Sequence, residues 1–322
     1  DAVTYVGPWT VEIEPTWEVL GRNFTLLDSE RGLLVSIYAF LGFWLLGLRL
    51  AGLRPVAAIS GLGTAALLIA ARSVEPFLFS ALLIEMAVLF SIPALIEPHL
   101  LEPEQAGLAS KKFPARPGIP SGIIRYLVFQ TLALPFILMA GWAATEVEFQ
   151  PNNQHLVLAA AGLLSVGLAL WLAVFPFYTW VPTLFLEVNP FAAGLILTLL
   201  PILALFLLLD FMAAFSWLRT LPQLGDVFRL VGVVMVASAG IWSAFERNIY
   251  RIFGYAVVLE NGFSLLALSL DVPFDLEGNF ITGEGTQLFV YSILPRVVAI
   301  GLGSLALSFL RRAEQDGKIR GV

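Results

Sequence analysis

Residues 123–144 read IIRYLVFQTLALPFILMAGWAA, with one charge, Arg125, close to the start. As a helix at ~1.5 Å per residue, such a run covers about 30 Å, the thickness of a bilayer's hydrocarbon core. Its apolar residues are continuous rather than alternating with period two, so it is not a barrel strand. Gly32–Leu50 reads the same way, and ten separate apolar runs crowd the chain of 322 residues. Overall 58% of residues are hydrophobic and 13% are charged, against roughly a quarter charged in soluble domains. In lipid the backbone must satisfy its own hydrogen bonds. These observations predict an all-α, polytopic transmembrane helix bundle.

Apolar windows place about nine spans near 33–50, 55–72, 76–97, 123–145, 155–175, 190–216, 227–245, 250–270 and 287–310. The tenth run, Phe175–Leu186, is too short to span and carries Pro176 and Pro182, so it reads as the second half of one discontinuous helix. Basic clusters give the orientation. Arg49 and Arg54, then Lys111, Lys112, Arg116 and Arg125, then Arg247 and Arg251, then Arg311, Arg312, Lys318 and Arg320 all fall on one side after nine crossings. The acidic residues Glu12, Glu14, Glu18, Glu146, Glu148, Asp271, Asp275, Glu277 and Glu284 fall on the other; Arg219–Arg229 is the one mildly basic segment there. The expectation is an integral protein of a bacterial inner membrane or its equivalent, N-terminus outside and C-terminus cytoplasmic. Its parts are an extracytoplasmic segment 1–32, a membrane domain 33–311 and a cytoplasmic tail 312–322. The proline-rich connection 98–122 is the longest cytoplasmic loop. The chain begins at Asp1 without methionine or a signal-peptide pattern, as a processed product would.

With no cysteine and only two histidines, His99 in a connection and His155 at the very start of a span, no cofactor and no metal centre are expected. No nucleophile–base set or phosphate loop is present, and Gly61-Leu62-Gly63 within an apolar span reads as close helix packing. Four ionisable residues do fall inside apolar spans: Glu85, Asp210, Glu260 and Arg296. A charge at mid-bilayer costs about 2.5–3.5 kcal/mol on insertion scales, so each needs a partner, a cavity or a function. Glu85 is the deepest. It reads either as a proton-binding carboxylate that exchanges near neutral pH or as a paired structural glutamate. Arg296 stays charged and follows Pro295, so it can serve a carboxylate in this chain or in a neighbouring subunit.

The segment from Leu170 to Pro182, LWLAVFPFYTWVP, is the other informative stretch. Pro176 and Pro182 bracket Tyr178 and interrupt the helix, and such breaks survive only where protein or a cavity covers the freed backbone. A plain proline kink is the bland alternative.

This stretch resembles the K-x4-PFHxWLP segment of the antiporter-like membrane subunits shared by respiratory complex I, membrane-bound hydrogenases and Mrp antiporters. Residues 189–193, NPFAA, are similar to that family's next motif, and 246–256, ERNIYRIFGYA, to its "DLKRLLAYSS" segment, with Gly262-Phe263 after it. The span holding Glu85 resembles the family's glutamate-bearing helix, and Tyr126–Gln130 the start of the next. The resemblance runs over roughly 30–310. It implies proton translocation by a Glu–Lys pair and a lysine relay, coupled to redox events held by other membrane subunits of a multi-subunit complex. Yet the family's lysine falls on Trp171, its histidine on Tyr178, the "DLKR" lysine on Tyr250 and the aspartate after the "WLP" on Thr183. No lysine lies in 190–216. The resemblance therefore implies a complex-I-like or hydrogenase-like membrane-arm subunit, either pumping through Glu85, Asp210 and Glu260 or structural because the relay lysines are gone. A self-contained secondary transporter built on the broken helix is the alternative. Lipid and other membrane subunits are the expected partners; nucleic acid is not.

Overall fold

A computed structural model describes residues 2–6, 9–13, 16–19, 21–25, 31–96, 119–150, 152–219, 221, 223–271 and 283–315. His99, Lys111, Lys112, Arg116, Asp275, Glu277, Lys318, Arg320 and most of the 98–122 connection lie outside them. Eleven helices occur among the described residues: α1 (Arg31–Leu50), α2 (Pro55–Ser73), α3 (Ser80–Leu95), α4 (Ser121–Phe149), α5 (Gln154–Trp171), α6 (Trp180–Glu187), α7 (Pro190–Ala214), α8 (Ser216–Arg219), α9 (Leu224–Phe245), α10 (Ile249–Leu268) and α11 (Glu284–Gln315). Among the described residues nine helical segments are long and apolar enough to cross a membrane, each within a few residues of its expected span. Before α1, β1 (Ala2–Val6) pairs with β2 (Trp9–Ile13) and β3 (Thr16–Val19) with β4 (Arg22–Thr25). These strands are an addition to the all-helical expectation. Gly21 takes φ 73° in the β3–β4 turn, where a side chain would be strained.

At the centre stands α7, buried on nearly every side. Its start is fixed by Asn189, which accepts the Phe191 N–H at 3.0 Å, and by Pro190, which has no N–H to lose in the first turn. The Asn189 amide also donates to the Ala51 carbonyl at 3.0 Å, and Ser308 donates to Asn189 at 3.0 Å, so one side chain ties α1, α7 and α11 together. The Trp44 indole donates to the Phe191 carbonyl at 3.0 Å and stacks on the Phe191 ring.

The ends of the helices sort by charge. Arg312 donates to Leu50, Gly122 N–H to Glu187, and the Tyr250 hydroxyl to Glu314. These contacts gather the ends carrying Arg49, Arg54, Arg125, Arg247, Arg251 and Arg311. At the opposite end β4 pairs with the short strand β5 (Val74–Glu75), and Asp271 accepts the Gly285 N–H at 2.8 Å. Glu146 and Glu148 close α4 at that end. Prolines 93, 135, 201 and 295 sit inside continuous helices, so Pro295 does not interrupt α11.

Candidate proton-path site

The helix does break before Pro176. After α5 ends at Trp171, Ala173 adopts φ 53°, the left-handed region that favours glycine. The Val174 N–H reaches back to Ala169 at 2.8 Å and the Ala173 N–H to Leu170 at 3.4 Å, the paired bonds of a Schellman cap. Pro176 then leads into a 3-10 turn, Phe177–Thr179, and Pro182 lies in the first turn of α6, where no N–H is needed. Because Ala173 holds a glycine conformation, Ala173→Gly is expected to stabilise the protein by up to ~1 kcal/mol, read as a raised unfolding midpoint. A lowered midpoint would show that the Ala173 methyl contributes more by packing than its backbone costs.

Helix α4 runs beside both halves of the break. Gly122 meets Leu184 on α6, and Ile137 meets Gly167 on α5. Two backbone carbonyls at the interruption are answered by side chains from flanking helices. Gln130 on α4 donates to the Trp171 carbonyl at 3.4 Å, and the Trp171 indole donates back to the Gln130 carbonyl at 3.2 Å. Asn261 on α10 donates to the Leu172 carbonyl at 3.1 Å. The Asn261 amide oxygen accepts a hydrogen bond from Arg296, whose other terminal nitrogen donates to Ser264 at 3.1 Å. Arg296 is therefore buried and bound to neutral groups. Glu260, one residue from Asn261, acts on it only through its field, and among the described residues no carboxylate lies within ion-pair distance.

Glu85 sits on the other side of α4, 8% exposed. One carboxylate oxygen accepts the Thr131 hydroxyl at 2.7 Å; the other is buried with no hydrogen-bond partner. Gln130 and Thr131 are neighbours on α4, so Glu85, the break and Arg296 lie at one depth of the bundle. A turn away, Tyr126 and Ser91 share a hydrogen bond at 3.0 Å. Tyr178 is buried, its ring against Tyr255 and its hydroxyl toward Ser238.

Asp210 stands apart from this layer. Arg72, in the last turn of α2, bonds both its oxygens at 2.8 and 3.0 Å. Arg72, Gln130, Thr131 and Asn261 were not picked out from sequence. Gln130, Thr131 and Asn261 carry a signal that could have found them, being hydrogen-bonding side chains deep in apolar runs. Arg72 lies at a span's edge, where a basic residue reads as ordinary flank. The three carboxylates occupy different surroundings: Glu85 accepts from Thr131, Asp210 pairs with Arg72, and Glu260 precedes Asn261 on α10.

Asn261→Leu removes the donor to Leu172 and the acceptor for Arg296 together. A loss of about 2–3 kcal/mol is expected from two buried groups left unmatched, checked by thermal unfolding in detergent against Asn261→Asp, which keeps the acceptor. Equal midpoints for the Leu variant and wild type would exclude this bridge.

Residues 124–306 match the family model described as NADH:quinone oxidoreductase/Mrp antiporter, TM. The chain belongs to that family. It is 26% identical over 184 residues to NAD(P)H-quinone oxidoreductase subunit 2 of the Mesostigma viride chloroplast, covering 54% of this chain and 33% of the relative. To NADH-quinone oxidoreductase subunit N it is 22% identical over 218 residues in Ectopseudomonas mendocina (64% and 42%), and 27% over 198 residues in Herminiimonas arsenicoxydans (60% and 39%). The chain thus spans well under half the length of these relatives. The family match holds the break, Asn261 and Arg296; Glu85 and its helix precede it.

Proposed function

We propose that this chain serves as a membrane-arm subunit of a quinone-oxidoreductase or hydrogenase-type assembly and holds that arm together without passing protons along it. The carrying observation is Trp171. It stands where the family's lysine falls, and it is buried, locked to Gln130 and placed between the Glu85 side and the Arg296 side of the layer. An indole cannot hand on a proton, and its N–H is already donated. Arg296 restores positive charge nearby, but a guanidinium does not release its proton at physiological pH. The polar groups of the layer close the helix break by satisfying its carbonyls, which is a structural role.

In this reading residues 33–311 form the membrane body, with 1–32 outside and 312–322 in the cytoplasm. The basic residues gathered at one end support that orientation. The partners are the other membrane subunits, and the redox centres belong to them.

Glu85→Gln in the parent assembly tests the reading. Thr131 can donate to the amide oxygen as it does to the carboxylate, so assembly is expected to survive. Redox-driven proton uptake by inverted vesicles should stay at the wild-type level, and a large drop would establish Glu85 as a working proton carrier. Co-purification of flavin or iron–sulfur subunits with the chain is the second expectation. A chain that purifies alone and transports on its own would instead establish a carrier.

A further inference from the structure

Glu260 stands about 16 Å along α10 from its start and about 12 Å from its end. That places it near the middle of a hydrocarbon core whose half-thickness is ~15 Å. Among the described residues its carboxylate makes no hydrogen bond and no ion pair. The Ser264 hydroxyl goes to its backbone carbonyl at 3.1 Å, and the terminal nitrogens of Arg296 go to Asn261 and Ser264. Arg296 and Glu260 attract through space, but neither carboxylate oxygen gains a donor.

The carboxylate is half-buried, on the face of α10 that also carries Ala256 and Phe263, four residues before it and three after. Both of those are exposed, Phe263 by 49%. This face borders α11, because Phe253 and Ser264 at its edge meet Gly303 and Arg296. Along the adjoining edge of α11, Ala299, Gly303 and Ala306 follow Arg296 at intervals of three and four residues. Small side chains thus flank Glu260 on both helices and permit a further membrane helix to approach closely. A lipid tail has no donor to offer at this depth, and a headgroup does not reach it. A second copy of this chain has no free cation to bring. Among the described residues every arginine except the buried Arg296 lies within about two turns of a helix end or outside the helices, and no lysine is described. Pairing two copies through this face would set carboxylate against carboxylate, which like-charge repulsion disfavours.

We propose that the α10–α11 seam is the interface with a different membrane subunit, whose transmembrane helix lays a lysine or arginine on Glu260 at mid-depth. The partner's N–H groups supply the charge-assisted hydrogen bonds that the carboxylate lacks. A carboxylate facing hydrocarbon is costly, so Glu260 rewards the correct partner and register. The inference rests on the reading of this chain as one subunit of a larger assembly.

The test places the photo-cross-linker p-benzoylphenylalanine at Phe263 of the full-length protein in its native membrane and identifies the linked peptide by mass spectrometry. The peptide should come from a transmembrane segment of another subunit with a lysine or arginine near its middle. Glu260→Gln should lower the amount of that subunit co-purifying with the chain severalfold. Replacing the partner's basic residue by glutamine should lower it as far, and the two changes together no further. Cross-links to phospholipid alone, to this same chain or to a second copy of it would overturn the proposal. So would a linked segment without a basic residue, or co-purification unchanged in Glu260→Gln. Where the chain purifies with no other membrane subunit, the assembly reading fails and this inference with it; co-purification with cross-links to lipid alone overturns only this inference. The cross-link is read with Glu260 in place, so it decides the question even where Glu260→Gln fails to assemble.

Discussion

Gly254→Val will dismantle the packing around the helix break. A Cβ at Gly254 would lie 2.5 Å from the Pro182 Cα and 3.0 Å from its nitrogen. Both are backbone atoms, so no rotamer change can relieve the clash. On the opposite side of α6, a Cβ at Gly122 would meet the Leu184 Cα at 2.9 Å. Two glycines on α4 and α10 thus clamp the short helix, the close approach that small residues permit between membrane helices. With α6 held from behind, α10 must move, and Asn261, two turns along it, leaves the Leu172 carbonyl. Overpacking usually costs about 1–3 kcal/mol; an immovable backbone and the lost hydrogen bond put the expected loss at or above the top of that range. Fluorescence-detected size-exclusion after heating measures it. Gly240→Val is the control, because nothing lies within 4 Å of a Cβ there. Equal midpoints for the two variants would show that α10 does not bear on α6.

The second large effect is expected at Asp210. Asp210→Asn takes the carboxylate from Arg72, a pair whose side chains are 18% and 21% exposed. Exposed pairs contribute up to about 1 kcal/mol, whereas breaking a fully buried one costs about 3–5 kcal/mol. Partial burial and bonds to both oxygens place the expected loss near ~2–3 kcal/mol. Replacing both, Arg72→Met with Asp210→Leu, should recover most of it, because no ion is then left without its counter-charge. Each residue makes a further contact, so the double-mutant cycle, not either single loss, isolates the pair. If Asp210 carried protons instead, the double variant would regain stability but abolish proton uptake by the parent assembly. Unchanged uptake is the expectation.

The nine long apolar segments and the interruption near Pro176 were legible from local composition. Hydrocarbon demands a fixed length of apolar chain, and proline removes a donor at a definite place. Burial of Glu85 and Arg296 was legible as well, since charges flanked by about a turn or more of leucine and alanine on both sides have nowhere wet to go. Asp210 was found, but its partner was not, because Arg72 lies 138 positions earlier on a different helix.

What the linear chain determined by itself is a polytopic helical bundle with a handful of polar side chains set into oil and a helix that cannot continue. Only the tertiary structure decided which of those groups meet. Hydrophobicity and chain breaks act over a few residues and are written locally. Hydrogen bonds and ion pairs reach only about 3–4 Å and depend on which faces of distant helices are turned together. Hence Glu85 meets Thr131, Arg296 meets Asn261, and Trp171 closes the layer between them.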